Sequence, residues 1–367
     1  MKVIDLSLAL LVAVSVSSAQ ATATIEYSTV TGYFLQDEAA TDPSTFDYTA
    51  VNFGLIDRAY PADSEKKKNH CETKTLTQWE RFYNQVEKLN RDSDKDVEYK
   101  VLFLGRHGEG FHNAAESYFG TPAWNCYWAE LDGNSTASWR DAALTPNGID
   151  QALVAHNFWQ KLIQEQKIHT PDDYYVSPLT RTLQTANFTF EGLNLPHGSA
   201  QFKPVVKELF REGISIHTCD HRRSKRYIHN LFPKWHIEKH FTEDDELWNG
   251  VTSETSDAQD ARSVQALGEV FFSSSSKKHS FVSVTSHSGE IGSILRVVGH
   301  RSFRLNTGAV IPVLVKAEKK KDYVPAPTTT VAWTTEPHCT VPPVTSGSVC
   351  VCPSSAAPVT TPLVTDL

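Results

Sequence analysis

The sequence predicts an α/β fold, a mainly parallel sheet with helices on both faces, over residues 99–322, and three observations predict it. Strand-like apolar runs alternate with helix-like stretches along this segment. The helices between them open on strong start signals, with Thr145-Pro146 before one and Ser177-Pro178 before another. Each strand-like run also ends abruptly in residues that a buried strand would exclude. "YKVLFLG" (99–105) runs into Arg106-His107, "DYYVS" (173–177) into Ser177 to Arg181, "KPVVKELF" (203–210) into Arg211-Glu212, and "SFVSVTS" (280–286) into His287.

Taken in chain order, residues 1–19 read as a cleavable secretory leader, with Lys2, an apolar run from Leu6 to Val16 and small residues at Ser17 and Ala19. That run is well short of the roughly 20 residues a membrane-spanning helix needs. Residues 20–98 form an N-terminal extension expected to pack on the core. In it "LTQWERFYNQVEKLNRD" places Leu76, Trp79, Phe82, Tyr83 and Val86 at helical spacing. "TPNGIDQALVAHNFWQKLIQEQ" is the clearest helix, with Thr145 as cap, Pro146 at the first position and Ile149, Ala152, Leu153, Trp159, Leu162 and Ile163 as its apolar face. In "SPLTRTLQTANF", Ser177 reads as cap and Pro178 as the first helical residue. Residues 323–367 are Thr/Pro/Ser-rich and too poor in apolar residues for a core, so they read as a disordered tail resembling an O-glycosylated stalk.

Of 367 residues, 40% are hydrophobic and 21% charged, which is ordinary for a folded domain. A net charge of -8 gives no bulk attraction to nucleic acid or anionic membrane, so neither is expected as a partner. Any anion site has to be a local cluster. The leader, six cysteines and the sequons at Asn134 and Asn187 agree on an extracellular location, the cell wall included. Sequence leaves the cysteine connectivity open.

In open α/β sheets, ligands bind beyond the carboxyl ends of the strands, so the four strand tips should surround one crevice. Among their residues are two arginines, Arg106 and Arg181, two histidines and a carboxylate. Arginine forks suit the oxygens of a phosphate dianion, and a second imidazolium adds charge where negative charge spreads in the transition state. One imidazole is then available as a nucleophile, and a partly protonated carboxyl can donate to the leaving oxygen and later activate water. The nearby Glu208 competes with Glu212 for that acid role.

Arg106-His107-Gly108-Glu109 with Asn113, "LTPNGIDQA", "SPLTRTLQTA", "LFREG" and "SVTSHSG" together resemble the ordered motifs of the histidine phosphatase superfamily, which includes cofactor-dependent phosphoglycerate mutases. "YFLQDEAATDP" and "HTCD" resemble its fungal phosphomutase-like branch. The resemblance implies a phosphoglycerate mutase-like fold, His107 as the phosphorylated nucleophile, and Arg106, Arg181 and His287 as the phosphate pocket. It further implies Glu212 as proton donor and Asn113 as a phosphate or substrate contact. Gly110 and Ser288 replace the arginine and aspartate of the phytase branch. Gly213 and Ser215 depart from the mutase pattern, and the basic "HRRSKR" group (Arg222, Arg223, Lys225, Arg226) is a candidate for holding the rest of an anionic substrate.

The function expected is hydrolysis of a small-molecule phosphomonoester through a phosphohistidine, without metal or other cofactor. The alternatives are mutase-type phosphoryl transfer and a non-catalytic secreted glycoprotein on the same fold. A metalloenzyme is a third option, with His217, His221, His236 and His240 as candidate ligands and the last two spaced for one helix face. Cys219 lacks the arginine six residues on that a cysteine phosphatase loop needs, so it reads as a disulfide partner or a buried thiol.

Overall fold

The computed structural model describes residues 24–64, 75–272, 279–320, 333–336, 338–346 and 349–353; the expected leader at 1–19 lies outside the described residues. In chain order the first elements are β1 (Thr24–Thr29), α1 (Gln78–Asp92), β2 (Val97–Arg106), α2 (Phe111–Phe119), α3 (Thr121–Cys126) and α4 (Pro146–Glu165). They are followed by β3 (Asp173–Val176), α5 (Thr180–Phe190), β4 (Val205–Val206), α6 (Lys225–Leu231), β5 (His236–Ile237) and β6 (Thr252–Ser253). The domain then closes with α7 (Ser256–Val270), β7 (Phe281–Ser286), α8 (Ser288–Val297) and β8 (Val310–Lys320). A seven-stranded sheet runs in the order β1-β8-β2-β7-β3-β4-β5. The five strands from β2 to β5 are mutually parallel, while β8 and β1 are antiparallel at one side.

Alternation along β2 explains why helices cover both faces. Val101 and Phe103 join one core with Trp79 and Phe82 of α1, Phe158 and Trp159 of α4, and Phe34 and Phe53 of the N-terminal segment. Leu102 and Leu104 join the other, with Ala266 and Leu267 of α7 and Ile291 and Ile294 of α8. The N-terminal segment is thus part of the main core, and its first strand is the sheet's edge. His300 and Asp37, both buried, tie it to the loop after α8 at 3.3 Å.

Several sequence expectations change in the structure. The run 203–210 contributes only Val205–Val206 to the sheet, because Glu208–Phe210 turns into a 3-10 helix that swings Glu208 onto Arg211. Ser177 and Pro178 do not start α5. The helix begins at Thr180, where the buried Asp141 carboxylate accepts from the Thr180 N–H at 2.8 Å and its hydroxyl at 2.6 Å. In α4, Leu153 faces outward, 39% exposed, while Ala152, Trp159, Leu162 and Ile163 are buried.

Part of the segment expected to be a stalk is ordered. Thr334–Thr335 (β9) pairs antiparallel with β6, and Val344–Ser346 (β10) pairs with Val349–Val351 (β11). Cys126 is disulfide-bonded to Cys350, and Cys339 to Cys352. The Cys339 N–H donates to the Cys126 carbonyl at 2.8 Å, and His338 pairs with Glu130 in a buried contact. Cross-links do here what apolar residues do elsewhere.

Candidate phosphoryl-transfer site

Strand register builds the centre of the site. Arg106 of β2 lies opposite Ser286 of β7 in a parallel pair, so the next residue of each strand, His107 and His287, sits side by side past the sheet. Their ring centroids are 5.1 Å apart at 61°. The His107 backbone is fixed on both sides, its N–H donating to the Ser286 carbonyl at 3.0 Å and its carbonyl accepting from the Gly308 N–H at 2.9 Å.

The tautomer of His107 follows from its neighbour. Nδ1 lies 2.7 Å from the Gly108 carbonyl oxygen, which can only accept, so Nδ1 carries the proton and Nε2 keeps the lone pair. Burial, and then Arg181 and Arg106, push the His107 pKa well below the usual histidine range. The ring is therefore neutral near pH 7. Gly108 and Gly148 are explained together. A Cβ on Gly108 would come 2.2 Å from the Gly148 carbonyl oxygen, and one on Gly148 would come 2.0 Å from the Glu109 carbonyl oxygen. Only glycines let the start of α4 press against the turn that carries His107.

Arg181, 1% exposed, enters from the first turn of α5. Its Nη1 donates to the Cys219 carbonyl at 2.7 Å, and its Nη2 lies 3.5 Å from Asp220 Oδ1. Arg106 Nη1 donates to the Leu305 carbonyl at 2.7 Å. The Nε of each arginine is buried with no hydrogen-bond partner among the described residues. His287 is fully buried, with Nε2 2.7 Å from the Ser177 hydroxyl. Burial and Arg181 lower its pKa too, so the charge expected on this ring is absent until an anion beside it raises the pKa again.

Glu212 and Glu208 are separated by their partners. Glu208 is spent on ion pairs, 2.9 Å to Arg211 Nη1 and 2.8 Å to Arg222 Nε. Glu212 instead faces the start of α8. Its Oε1 accepts from the Gly213 and Glu290 N–H groups at 2.9 and 3.1 Å, and Oε2 accepts from Gly289 N–H at 3.2 Å. Burial, and then Asp220, raise its pKa against the lowering effect of these amides. Proton delivery requires one oxygen to turn away from them.

Asn113 uses its carbonyl oxygen to accept from the Gly110 N–H at 3.0 Å at the start of α2, leaving its amide NH2 as the part able to meet a ligand. The basic group also divides. Arg222 is buried and bonded to Glu208, Thr242 and Asp244, so it is structural, whereas Arg223 remains 40% exposed, 4.0 Å from Asp141. His236 lies in β5 and His240 adopts a left-handed φ of 66°, so the two do not share a helix face. His221 stacks on Trp248 at 4.4 Å.

Sequence reasoning missed four residues here. His112 is buried with its ring 5.4 Å from His107 and its pKa well lowered by burial and Arg181. Ser177 orients His287, Asp141 caps α5, and Asp220 faces Arg181. Ser177 reads in sequence as a helix cap and Asp220 closes the "HTCD" run without a role of its own, while no spacing marks His112 or Asp141. Among the described residues, donor atoms of His217, Cys219 and Asp220 converge within 4.8 Å of one another.

Two imidazoles and two guanidinium groups at adjacent parallel-strand tips define an α/β protein with a site suited to a tetrahedral oxyanion. Residues 102–306 match the family model for the histidine phosphatase superfamily (branch 1), and the chain belongs to that superfamily, whose members are phosphatases or mutases. It is 50% identical over 298 residues to a probable phosphoglycerate mutase of Arthroderma benhamiae, covering 81% of this chain and 86% of that one. It is 31% identical over 283 residues to a probable phosphoglycerate mutase of Saccharomyces cerevisiae, covering 70% of this chain and 92% of that one. Among solved structures, the ecdysone phosphate phosphatase from Bombix mori in complex with tungstate matches with a TM-score of 0.38 and 15% identity, over 65% of this chain and 92% of that chain.

Proposed function

We propose that the protein is an extracellular phosphatase that hydrolyses a small-molecule phosphomonoester through a phosphohistidine at His107, with no metal in the chemical step. The carrying observation is the locked tautomer: Nδ1–H on the Gly108 carbonyl leaves Nε2 as a neutral nucleophile beside Arg106, Arg181 and His287. In the first step Nε2 forms a bond to phosphorus as the ester P–O bond breaks, and protonated Glu212 gives its proton to the departing alkoxide. In the second, Glu212 takes a proton from water as its oxygen attacks phosphorus. The P–N bond breaks, phosphate leaves and the imidazole is restored. Arg106 and Arg181 hold the phosphoryl oxygens throughout, and a dianion next to His287 favours its protonated form.

Secretion rests on the leader at 1–19, and it favours water as acceptor because no concentrated pool of phosphorylated acceptors is expected outside the cell. The names of the fungal relatives favour the second reading, transfer to another hydroxyl of a phosphoglycerate. Assays of phosphate release and of phosphoglycerate isomerisation on wild type and His107→Ala decide between them, with acid-labile phosphoenzyme trapped from each. We expect phosphate release, a trapped phosphoenzyme, and loss of both in His107→Ala by a factor of about 10^3 or more. Isomerisation without phosphate release would establish the mutase. Turnover surviving in His107→Ala would remove the nucleophile assignment.

A further inference from the structure

We propose that His217, Cys219 and Asp220 form a binding site for zinc or another thiolate-preferring divalent ion, placed to loosen the anchoring of Arg181 when filled. The effect on Arg181 rests on the functional reading above; the site itself does not. A donor atom from each of the three residues lies within 4.8 Å of the other two, and Cys219 Sγ is 3.8 Å from an oxygen of Asp220. A tetrahedral zinc with sulfur at about 2.3 Å and nitrogen or oxygen at about 2.0 Å needs donor separations of about 3.4 to 3.5 Å. Closure therefore takes a few tenths of an ångström between sulfur and oxygen, and up to about 1.4 Å for the imidazole nitrogen.

Two independent features point to a ligand. His217 Nε2 is buried with no hydrogen-bond partner among the described residues, a state that a ligand would relieve. Cys219 is a buried free thiol in a protein whose other described cysteines are all in disulfides. The trio Cys126, Cys339 and Cys350 also converges, but Cys126 and Cys350 are bonded to each other and offer no thiolate.

The ligands sit on a braced turn. The Thr218 hydroxyl donates to the Leu131 carbonyl at 2.7 Å, and the Trp248 indole N–H to the His217 carbonyl at 2.9 Å. The Ser215 hydroxyl joins Asp220 Oδ2 at 2.6 Å to the His217 N–H at 3.1 Å. One sulfur, one imidazole nitrogen and one carboxylate oxygen select zinc, cobalt or cadmium over magnesium and calcium, and a water completes four-coordination. Binding releases the thiol proton to solvent. Arg181 opposes a cation here, but the thiolate and Asp220 carry two negative charges against it. The cost falls on the Asp220–Arg181 contact: an ion that draws Asp220 toward itself leaves the guanidinium without that partner, and phosphoryl transfer slows.

The test uses the full chain, stripped with EDTA and titrated with cobalt(II) alone and zinc(II) alone. Wild type should give a thiolate-to-cobalt charge-transfer band that saturates at one equivalent and is displaced by zinc. The band should vanish in Cys219→Ser. In His217→Gln, cobalt affinity should fall about 10-fold or more, with metal-free turnover retained and zinc inhibition shifted by the same factor. A missing band in wild type, or an undiminished one in Cys219→Ser, would overturn the site. So would zinc inhibition of His217→Gln at the wild-type concentration, which would place the ion on His107 or His287 instead. A protein inactive on every phosphomonoester that still gives the band would sink the phosphatase reading and support the metal site.

Discussion

The Cβ that Gly289 lacks would lie 2.2 Å from Glu212 Oε1. That missing methyl is what lets the carboxyl group reach the amides at the start of α8. Gly289→Ala should therefore displace Glu212 and lower kcat by about 10-fold to 100-fold, at or below the lower end of what general acid catalysis contributes, while the unfolding midpoint moves little. Wild-type turnover in this variant would show that the position of Glu212 does not matter to the reaction.

Glu212 and Glu208 should fail in different ways. Glu212→Gln should lower kcat by about 10^2 to 10^4, with esters of poor leaving groups losing most. Glu208→Gln leaves the fully buried Arg211 and Arg222 short of a partner, although Asp245 still holds Arg211 at 2.7 Å. It should cost about 3 kcal/mol of stability, read by denaturant unfolding, with kcat nearly unchanged. The opposite pattern would transfer the acid role to Glu208.

Acid should destabilise the protein through its buried imidazoles. Burial, and then Arg181, hold His107, His112 and His287 well below the ordinary value. Below about pH 6.5 the unfolded chain takes up these protons and the folded chain does not. Their contribution is complete above about pH 6.5 and is lost as pH falls toward the folded values, at about 1.4 kcal/mol per unit for each ring. Burial also lowers His221, to about 4, so melting curves at a series of pH values should show this slope, reduced by about a quarter in His112→Phe because one of four such rings is gone. A midpoint flat from about pH 7 to about pH 5 would contradict it.

The Cys126–Cys350 disulfide closes a loop across a sequence separation of 224. In the chain-entropy view such a closure is worth about 5 kcal/mol. Replacing both cysteines by serine should lower stability by up to about that amount and should release the β9–β6 pairing, seen as faster amide exchange at Thr252 and Ser253. Unchanged exchange there would mean that β9 holds without the cross-link.

The sequence made the strand tips legible because catalytic-looking residues interrupted apolar runs, a contrast that needs no tertiary information. His107, His287, Arg106 and Arg181 were found that way. β8 escaped notice because its apolar run follows no such interruption and carries Pro312, which reads as a strand breaker although it lies within the β2–β8 ladder. β1 and β9 were hidden because edge strands take their partners from far along the chain. Asp141, Ser177 and Asp220 act through hydrogen bonds to residues 39, 110 and 39 positions away, and no local pattern encodes such pairs. The α5 cap shows the same limit. Ser177-Pro178 is a sound local start signal, but Asp141 captures Thr180 first.

The Cys126–Cys350 bond also changes what a protease can accomplish. A single cut anywhere in the stretch it encloses, the exposed turn at His197 and Gly198 for example, leaves two fragments that still travel together. On a denaturing gel without reductant a nicked molecule would keep its full mass, and only a thiol would reveal the break.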